Sequence, residues 1–456
     1  MVISNPPSIF ENIAATGEML LATNVTSLSH LQNARYFRHE NEIIVLLPTE
    51  SISARHLRYN PYIHGMIPAT ENSSFDNIKI DAFAEQLRDS GQLERIGAKF
   101  PSGGWTALSE NQLAFRFKPM RIEWMNGSDT VGCLTLPANE PQLLHCFFFG
   151  IWARIKRWAG ILRAPFFSAS IAPVVLGAAV AYNRQSEIHW GRLLLTLLGA
   201  IYVHAAANVI NDYYDHRSGN DAGNRYPTAF SGGSRMIQEK IITPATGFFI
   251  ALSLFAVTVA IGLYLNAVTN GNIILIIGLV GTFFAFGYSA MPLKLAYRGI
   301  GEFAIVSAFG PLIVMGTYYV QVQSLDLIPL LISIPTGILV GLILFINEFQ
   351  DMTADAEVNK NTLVVKLKSK KVAFYVYSIL LIFVYIWLVC FTILGVFPIW
   401  TLLTFITIPM VYRAIQITSK HYDKIEELIP ANALTIGIHL LLTLLVSVAF
   451  LLDAIW

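Results

Sequence analysis

"NVINDYYDHRSGND" (208–221) closes one of the most apolar runs of this chain. Polar residues return there at fixed spacing: Asn208, Asp212 four residues on, Asp215 three further, and Asp221 beyond them. Steps of three and four share one face of a helix. The stretch therefore predicts a helix that crosses an apolar layer and ends in a row of carboxylates. A second stretch, "NEFQDMTADAEVNKNT" (347–362), follows another long apolar run and places Asn347, Asp351 and Asp355 four residues apart. A helix end that merely meets water is also rich in Asp and Asn. Two clusters with the same Asn-x3-Asp start weigh against that plainer reading.

Acids at membrane depth are costly and face a cavity or a partner. Four carboxylates on one surface repel each other unless a cation sits among them. An all-oxygen donor set suits Mg²⁺, which takes a few carboxylates and fills its shell with substrate phosphates and water. Arg235, Lys294, Arg298, Lys360 and Lys366 fall in loops on the same side of the layer and are candidates to neutralise a diphosphate. His216 stands alone among hard oxygen donors and reads as a neighbour of the site.

Composition supports a membrane protein. Of 456 residues, 54% are hydrophobic and 13% charged, against about 25% charged in ordinary soluble domains. The net charge of +1 and the absence of a basic run give no nucleic-acid signal. Cys133, Cys146 and Cys390 lack metal-ligand spacing and read as small buried hydrophobes. The start, "MVISNPPSIFENIAATGEML", lacks a basic region ahead of an apolar core and predicts no secretory signal.

The composition changes near residue 145. Beyond it, apolar runs of roughly 20 residues suit bilayer spans, at about 164–182, 193–211, 243–265, 272–291, 302–321, 327–347, 373–393, 395–413 and 432–453. That makes about nine helices. Lys and Arg collect before the first span and after the second, fourth, sixth and eighth, whereas the alternate loops hold only Arg184 and Arg192. The positive-inside bias then puts both Asp clusters and the N-terminal half in the cytoplasm. "FFFGIWARIKRWAG" (147–160) sets aromatics beside Arg154, Lys156 and Arg157, as an interfacial helix or a positive-inside flank would.

The two Asp stretches resemble the paired Asp-rich motifs of the UbiA superfamily of intramembrane aromatic prenyltransferases. "SGGSRMI" (231–237), "YSAMPLKLAYRGIGE" (288–302) and "FGPLIVMGTYYVQ" (309–321) resemble the branch that contains the 1,4-dihydroxy-2-naphthoate polyprenyltransferases of menaquinone biosynthesis. The resemblance covers about 155–456. It implies a ring of nine helices around a central cavity, capped by loops that carry the motifs. It also implies that Asp212, Asp215, Asp351 and Asp355 hold two Mg²⁺ on a polyprenyl diphosphate. Asn208 and Asn347 would add polar contacts, Asp221 would tie the cap together, and Tyr288 would face the allylic cation. Arg235, Lys294, Arg298 and Lys360 would clamp the diphosphate. The chain departs from the branch pattern Asn-Asn-x-Arg-Asp, reading Asn347-Glu348-Phe349-Gln350-Asp351, and has Asn359 where a Gly is usual.

Residues 1–145 read as a soluble β-rich domain, 146–163 as an amphipathic interfacial linker and 164–456 as the transmembrane transferase domain. "MLLATNV", "ARYFRHENEIIVLLPTES", "PYIHGMIPA" and "QLAFRFKPMRIEW" have strand composition, with a hairpin at "HENE". "ISARHLRYNP" (52–61) reads as a short helix stopped before Pro61. The order resembles the pyridoxamine-phosphate-oxidase-like split barrel, whose members often dimerise and bind FMN. Arg55 and Arg58 are then phosphate candidates, or plain surface charges. Ser53 stands where that family often has Lys, which argues against FMN and for a barrel used in homodimerisation or docking.

The sequence thus predicts an all-α polytopic membrane protein preceded by a β-rich domain. Its expected activity is Mg²⁺-dependent transfer of a polyprenyl group to an aromatic quinone precursor in the bilayer. The alternatives are a prenyltransferase for another acceptor (4-hydroxybenzoate, homogentisate, a tetrapyrrole or a glycerol-phosphate lipid) and an ion-coupled transporter. A transporter would place its acids near the bilayer midplane, whereas both clusters lie at one face.

Overall fold

The computed structural model describes residues 12–25, 28–39, 42–71, 73–88, 111–135, 140–223, 228, 230 and 233–456. The tip of the "HENE" hairpin and Ser231–Gly232 lie outside them. The chain divides into two compact units, Met1–Gly160 with Glu239–Thr243, and Ile161–Gln238 with Pro244–Trp456.

The first unit is a β-barrel. Its strands are β1 (Thr16–Val25), β2 (Leu28–His39), β3 (Glu42–Pro48), β4 (Tyr62–Pro68), β5 (Asn77–Leu87), β6 (Gln112–Asn126) and β7 (Asp129–Thr135). The order β3-β2-β1-β4-β5-β6-β7 has an additional β3–β6 pairing, so six strands close on themselves and β7 extends β6 outward. All pairs are antiparallel. Alternation decides which face goes in: Met19, Leu21, Thr23 and Val25 of β1 are buried between exposed or half-buried neighbours. Ile43, Val45, Ile63, Ile78, Ile80, Phe115 and Phe117 meet them inside. Pro119, which has no N–H to give a ladder, sits where the β5–β6 register shifts. The helix α1 (Ile52–Leu57) starts at Ser51, whose Oγ accepts from the Ala54 N–H at 3.2 Å. A closed six-stranded barrel fits the split-barrel expectation. Strands β5 and β7 are hard to read from sequence, because charged and Gly-containing positions interrupt their apolar alternation.

The second unit is helical. The helix α2 (Glu140–Leu162) leads into it in sequence, with Trp152 and Trp158 exposed. The long helices are α3 (Ser168–Gln185), α4 (Trp190–Ser218), α5 (Pro244–Ala267), α6 (Ile273–Gly287), α7 (Gly301–Val322), α8 (Leu327–Glu357), α9 (Lys370–Ile393), α10 (Ile399–His421) and α11 (Ile425–Ile455). Among the described residues, eight stretches are long and apolar enough to cross a membrane, and α6 is a ninth, shorter apolar helix. At 15 residues, α6 rises only about 22 Å. The expected span 272–291 is thus cut short, because Pro292 bars further helix and the chain turns through left-handed Lys294 and Gly299.

Small residues bring the inner helices together. A Cβ on Gly310 of α7 would stand 2.6 Å from the Ser333 carbonyl and 2.8 Å from Gly337 Cα on α8. A Cβ on Gly337 would stand 2.4 Å from the Val306 carbonyl. Such close approach is how helices associate where lipid removes the hydrophobic drive. The most apolar window of α8 is 61% buried, against 17% for α5 and 22% for α9. Hence α8 is central, and α5 and α9 turn side chains such as Phe249, Tyr264, Ile379 and Ile386 outward. Cys390 lies on that outer surface of α9 and Cys133 on the outlying strand β7, and both are exposed. The expectation that these cysteines are buried is corrected: a lipid-facing surface and a sheet edge both accept a small apolar side chain.

Gly337→Val should lower the thermal midpoint of the detergent-purified protein, at an overpacking cost of about 1–3 kcal/mol. Gly278→Ala, at a glycine with nothing within 4 Å of the added Cβ, should leave it unchanged or slightly higher.

Candidate active site

The helix α4 ends at Gly219, which takes the left-handed conformation (φ 80°) that closes many helices. Its last two turns bury Asp212 and Asp215. Asp215 is held by three donors. Asn211 Nδ2 donates to Oδ2 at 3.0 Å, Tyr297 OH donates to Oδ1 at 3.1 Å, and Lys360 Nζ reaches Oδ2 at 3.2 Å. Ser289 Oγ in turn donates to Asn211 Oδ1 at 2.5 Å. Asp212 Oδ1 accepts the Ser234 N–H at 3.2 Å, and Asp221 Oδ2 accepts from Gln238 Nε2 at 2.9 Å. Between them lies Gly233 at φ +74°, where a Cβ would stand 3.0 Å from an oxygen of each carboxylate. Only glycine suits both the backbone and the space there.

The second cluster sits on the last turns of α8. Asp355 is buried and accepts from Asn220 Nδ2 at 3.1 Å. Lys360 Nζ stands 3.6 Å from Asp355 Oδ1, so this one ammonium lies between the two Asp motifs. Asn347 Oδ1 accepts from Asn432 Nδ2 at 2.6 Å. Asn208 Nδ2 donates to the Leu162 carbonyl at 3.4 Å.

A cavity of about 450 Å³ joins these groups. Asn208, Asp215, Asp221, Tyr288, Asn347, Asp351, Asp355 and Lys360 line one part of it. The remainder is lined by small and apolar residues of α4, α5, α6 and α7, among them Gly199, Gly262, Leu263, Gly278, Gly281, Phe284 and Ile313. Asp212 lies behind this wall. Of the basic candidates only Lys360 lines the cavity. Arg235 donates to the Asp221 carbonyl at 2.6 Å, and Lys294 Nζ stands 4.7 Å over the Tyr297 ring. Arg298 is exposed and donates to the Pro292 carbonyl at 2.9 Å, and Lys366 donates to the Arg298 carbonyl.

Four groups at the site were not singled out from sequence. Arg163 lines the cavity, with its guanidinium 5.0 Å over the Phe166 ring; in sequence it reads only as a positive flank. Tyr297 and Asn211 are ordinary members of the motifs. Glu348, seen only as a departure from a pattern, lines the cavity and accepts from the Val364 N–H at 3.4 Å.

Carboxylates outnumber cations here. Burial, and then the Asp215 and Asp212 charges, push Asp221 up to about 8. Burial alone would lower Lys360, but Asp215 and Asp355 more than offset it and hold the ammonium well above its usual range. Among the described residues no three His, Cys, Asp or Glu side chains stand close enough to hold an ion unaided. The donor set nonetheless fits Mg²⁺, whose shell needs only one or two carboxylates when phosphates and water complete it.

Residues 170–436 match the UbiA prenyltransferase family. The 2-carboxy-1,4-naphthoquinone phytyltransferase of Synechocystis sp. is 25% identical over 301 residues, which cover 65% of this chain and 93% of that protein. UbiA prenyltransferase domain-containing protein 1 of Mus musculus is 33% identical over 274 residues, 58% of this chain and 77% of its own. The 1,4-dihydroxy-2-naphthoate octaprenyltransferase of Bacillus subtilis is 28% identical over 256 residues, 56% of this chain and 80% of its own.

Lys360→Met should destabilise the metal-free protein by about 3 kcal/mol, because it strips the buried carboxylates of their cation. A thermal melt in EDTA reads that loss. A midpoint equal to wild type would show that Asp215 and Asp355 do not depend on Lys360.

Proposed function

The chain belongs to the UbiA prenyltransferase family and is a multi-pass integral membrane prenyltransferase, and on that premise we propose that it transfers a polyprenyl group from a polyprenyl diphosphate to a dihydroxynaphthoate-like aromatic quinone precursor, releasing diphosphate. The observation that carries this reading is the cavity, which has oxygen donors from two helices at one part and apolar walls over the rest. A diphosphate suits the first and a long hydrocarbon the second.

Asp212, Asp215, Asp351 and Asp355 are the groups to hold two Mg²⁺, with Asn208 and Asn347 as polar neighbours and Asp221 tying the cap. When bound, Mg²⁺ supplies Lewis-acid stabilisation of the leaving phosphates. Lys360 adds positive charge within the cavity. Arg235, Lys294 and Arg298 belong to the surrounding loops, where they draw the anionic substrate in. The bond from the allylic carbon to the diphosphate oxygen breaks, and the Tyr288 ring stabilises the carbon as it becomes cationic. The apolar walls keep water away from it. A ring carbon of the acceptor forms the new carbon–carbon bond, and the ring proton leaves to a carboxylate or to the departing diphosphate.

One observation favours a naphthoate acceptor. The Synechocystis and Bacillus relatives are named for naphthoquinone and naphthoate substrates. The position where the branch pattern has Arg is Gln350, which is buried, accepts from Thr228 Oγ1 at 2.8 Å and donates to Asn432 Oδ1 at 3.0 Å. It does not line the cavity. The positive-inside bias supports a cytoplasmic side for both Asp clusters and the N-terminal unit. We assign that unit to homodimerisation or docking, and the helix that follows it to the membrane interface. Ser53 is buried and donates no charge, and its Oγ lies 3.2 Å from Thr23 Oγ1. FMN is therefore not expected there.

The test is mass spectrometry of products from membranes given a polyprenyl diphosphate and a panel of acceptors. Wild type should prenylate 1,4-dihydroxy-2-naphthoate. Asp212→Asn and Asp351→Asn should each reduce turnover at least 100-fold, about the loss that removal of one charge-stabilising group gives, while the protein still inserts. EDTA should stop the reaction and Mg²⁺ restore it. Prenylation of a different acceptor alone would revise the substrate, and near-normal turnover in either variant at saturating Mg²⁺ would remove the metal assignment.

A further inference from the structure

His204 has no part in the assignments above, yet it lines the same cavity. It sits on α4 one turn before Asn208, about 6 Å along the helix. Its side chain is fixed on three sides. Nδ1 lies 2.7 Å from Ser170 Oγ on α3. The Phe167 ring packs at 5.6 Å and 61°, and the Phe309 ring at 4.9 Å and 80°, both edge-on. Such a clamp leaves the imidazole little rotational freedom.

Hydrogen-bond accounting sets its tautomer. Ser170 is fully buried, and among the described residues its Oγ has no acceptor other than His204 Nδ1. A buried hydroxyl places its proton where an acceptor exists, so Ser170 donates and Nδ1 accepts. The ring proton is then on Nε2. Among the described residues Nε2 has no partner, and it is not one of the buried unpartnered atoms. It therefore presents an N–H donor to the cavity, between the oxygen-rich part and the apolar part. A histidine that served packing alone would not aim a free donor into a cavity.

We propose that His204 is a specificity-determining residue: its Nε2–H binds a carbonyl, carboxylate or phenolate oxygen of the aromatic acceptor and so sets which ring carbon meets the prenyl group. Ser170 acts through it, as a positioning residue that fixes the tautomer. This rests on the aromatic-acceptor reading above, because a lipid acceptor would present no ring to orient.

The experiment is steady-state kinetics on the detergent-purified full chain, with 1,4-dihydroxy-2-naphthoate and a polyprenyl diphosphate as substrates. His204→Leu should raise the KM for the acceptor about ten-fold, the worth of one hydrogen bond, and leave the KM for the diphosphate unchanged. His204→Gln, whose amide N–H has similar reach, should recover most of the loss. Ser170→Ala should raise the acceptor KM in the same direction by a smaller factor. An unchanged acceptor KM in folded His204→Leu, or an equal rise in both KM values, overturns the assignment. Should His204→Leu fail to fold, Ser170→Ala decides, and an unchanged acceptor KM there overturns it. Wild type that transfers nothing to the naphthoate sinks the acceptor reading and this assignment together, whereas an active wild type with indifferent variants sinks this one alone.

Discussion

Carboxylates buried at the end of an apolar cavity are the constraint on which the rest of this structure depends. Asp215 and Asp355 come from helices α4 and α8, more than 100 residues apart in sequence, and meet across a single ammonium, Lys360. Like charges brought that close out of water are held only by opposite charge and by donors. The molecule supplies both. Asn211, Asn220, Tyr297, Ser234 and Gln238 each give a hydrogen bond to one of the acids. Their combined acceptor capacity still exceeds what the chain provides, and burial, followed by the Asp215 and Asp212 charges, drives Asp221 up. A site in that condition favours a cation and the anionic substrate that travels with it.

Holding the two motifs together requires the helices to converge. Gly310 and Gly337 let α7 and α8 approach backbone to backbone, and Gly177 of α3 does the same against Thr317 of α7. Glu302 and Glu348 receive the N–H groups of Leu363 and Val364, which fixes the segment just after Lys360. On the other side of the cavity, glycines of α5 and α6 have open space before them and leave room for a hydrocarbon. On the proposed function, packing that is tight around the charges and loose along the walls separates a diphosphate part from a prenyl part.

Much of this was legible in the sequence. Apolar run lengths marked the spans, and the two Asp stretches supply Asn208, Asp215, Asn347, Asp351 and Asp355 to one cavity, whereas Asp212, the Asp of the first Asn-x3-Asp step, does not line it. What was hidden depends on contacts that spacing does not encode. Lys294 and Arg298 sit in the right loop, but the turn after α6 directs them to Tyr297 and to a carbonyl. Arg163 and a flank arginine look alike until the chain around them is folded. Tyr297 earns its place only through Asp215 and Ser218, which come from another helix. The barrel's closure is likewise a β3–β6 pairing across nearly seventy residues, invisible to local alternation.

The central claim is that two Asp motifs from separate helices form one catalytic unit. A double-mutant cycle on kcat/KM with Asp215→Asn and Asp351→Asn tests it most directly. If the motifs act on one diphosphate, each single variant removes most of the activity and the double variant falls little further, a coupling far from zero. Losses that simply multiply would mean that the two acids work independently, and would contradict the account.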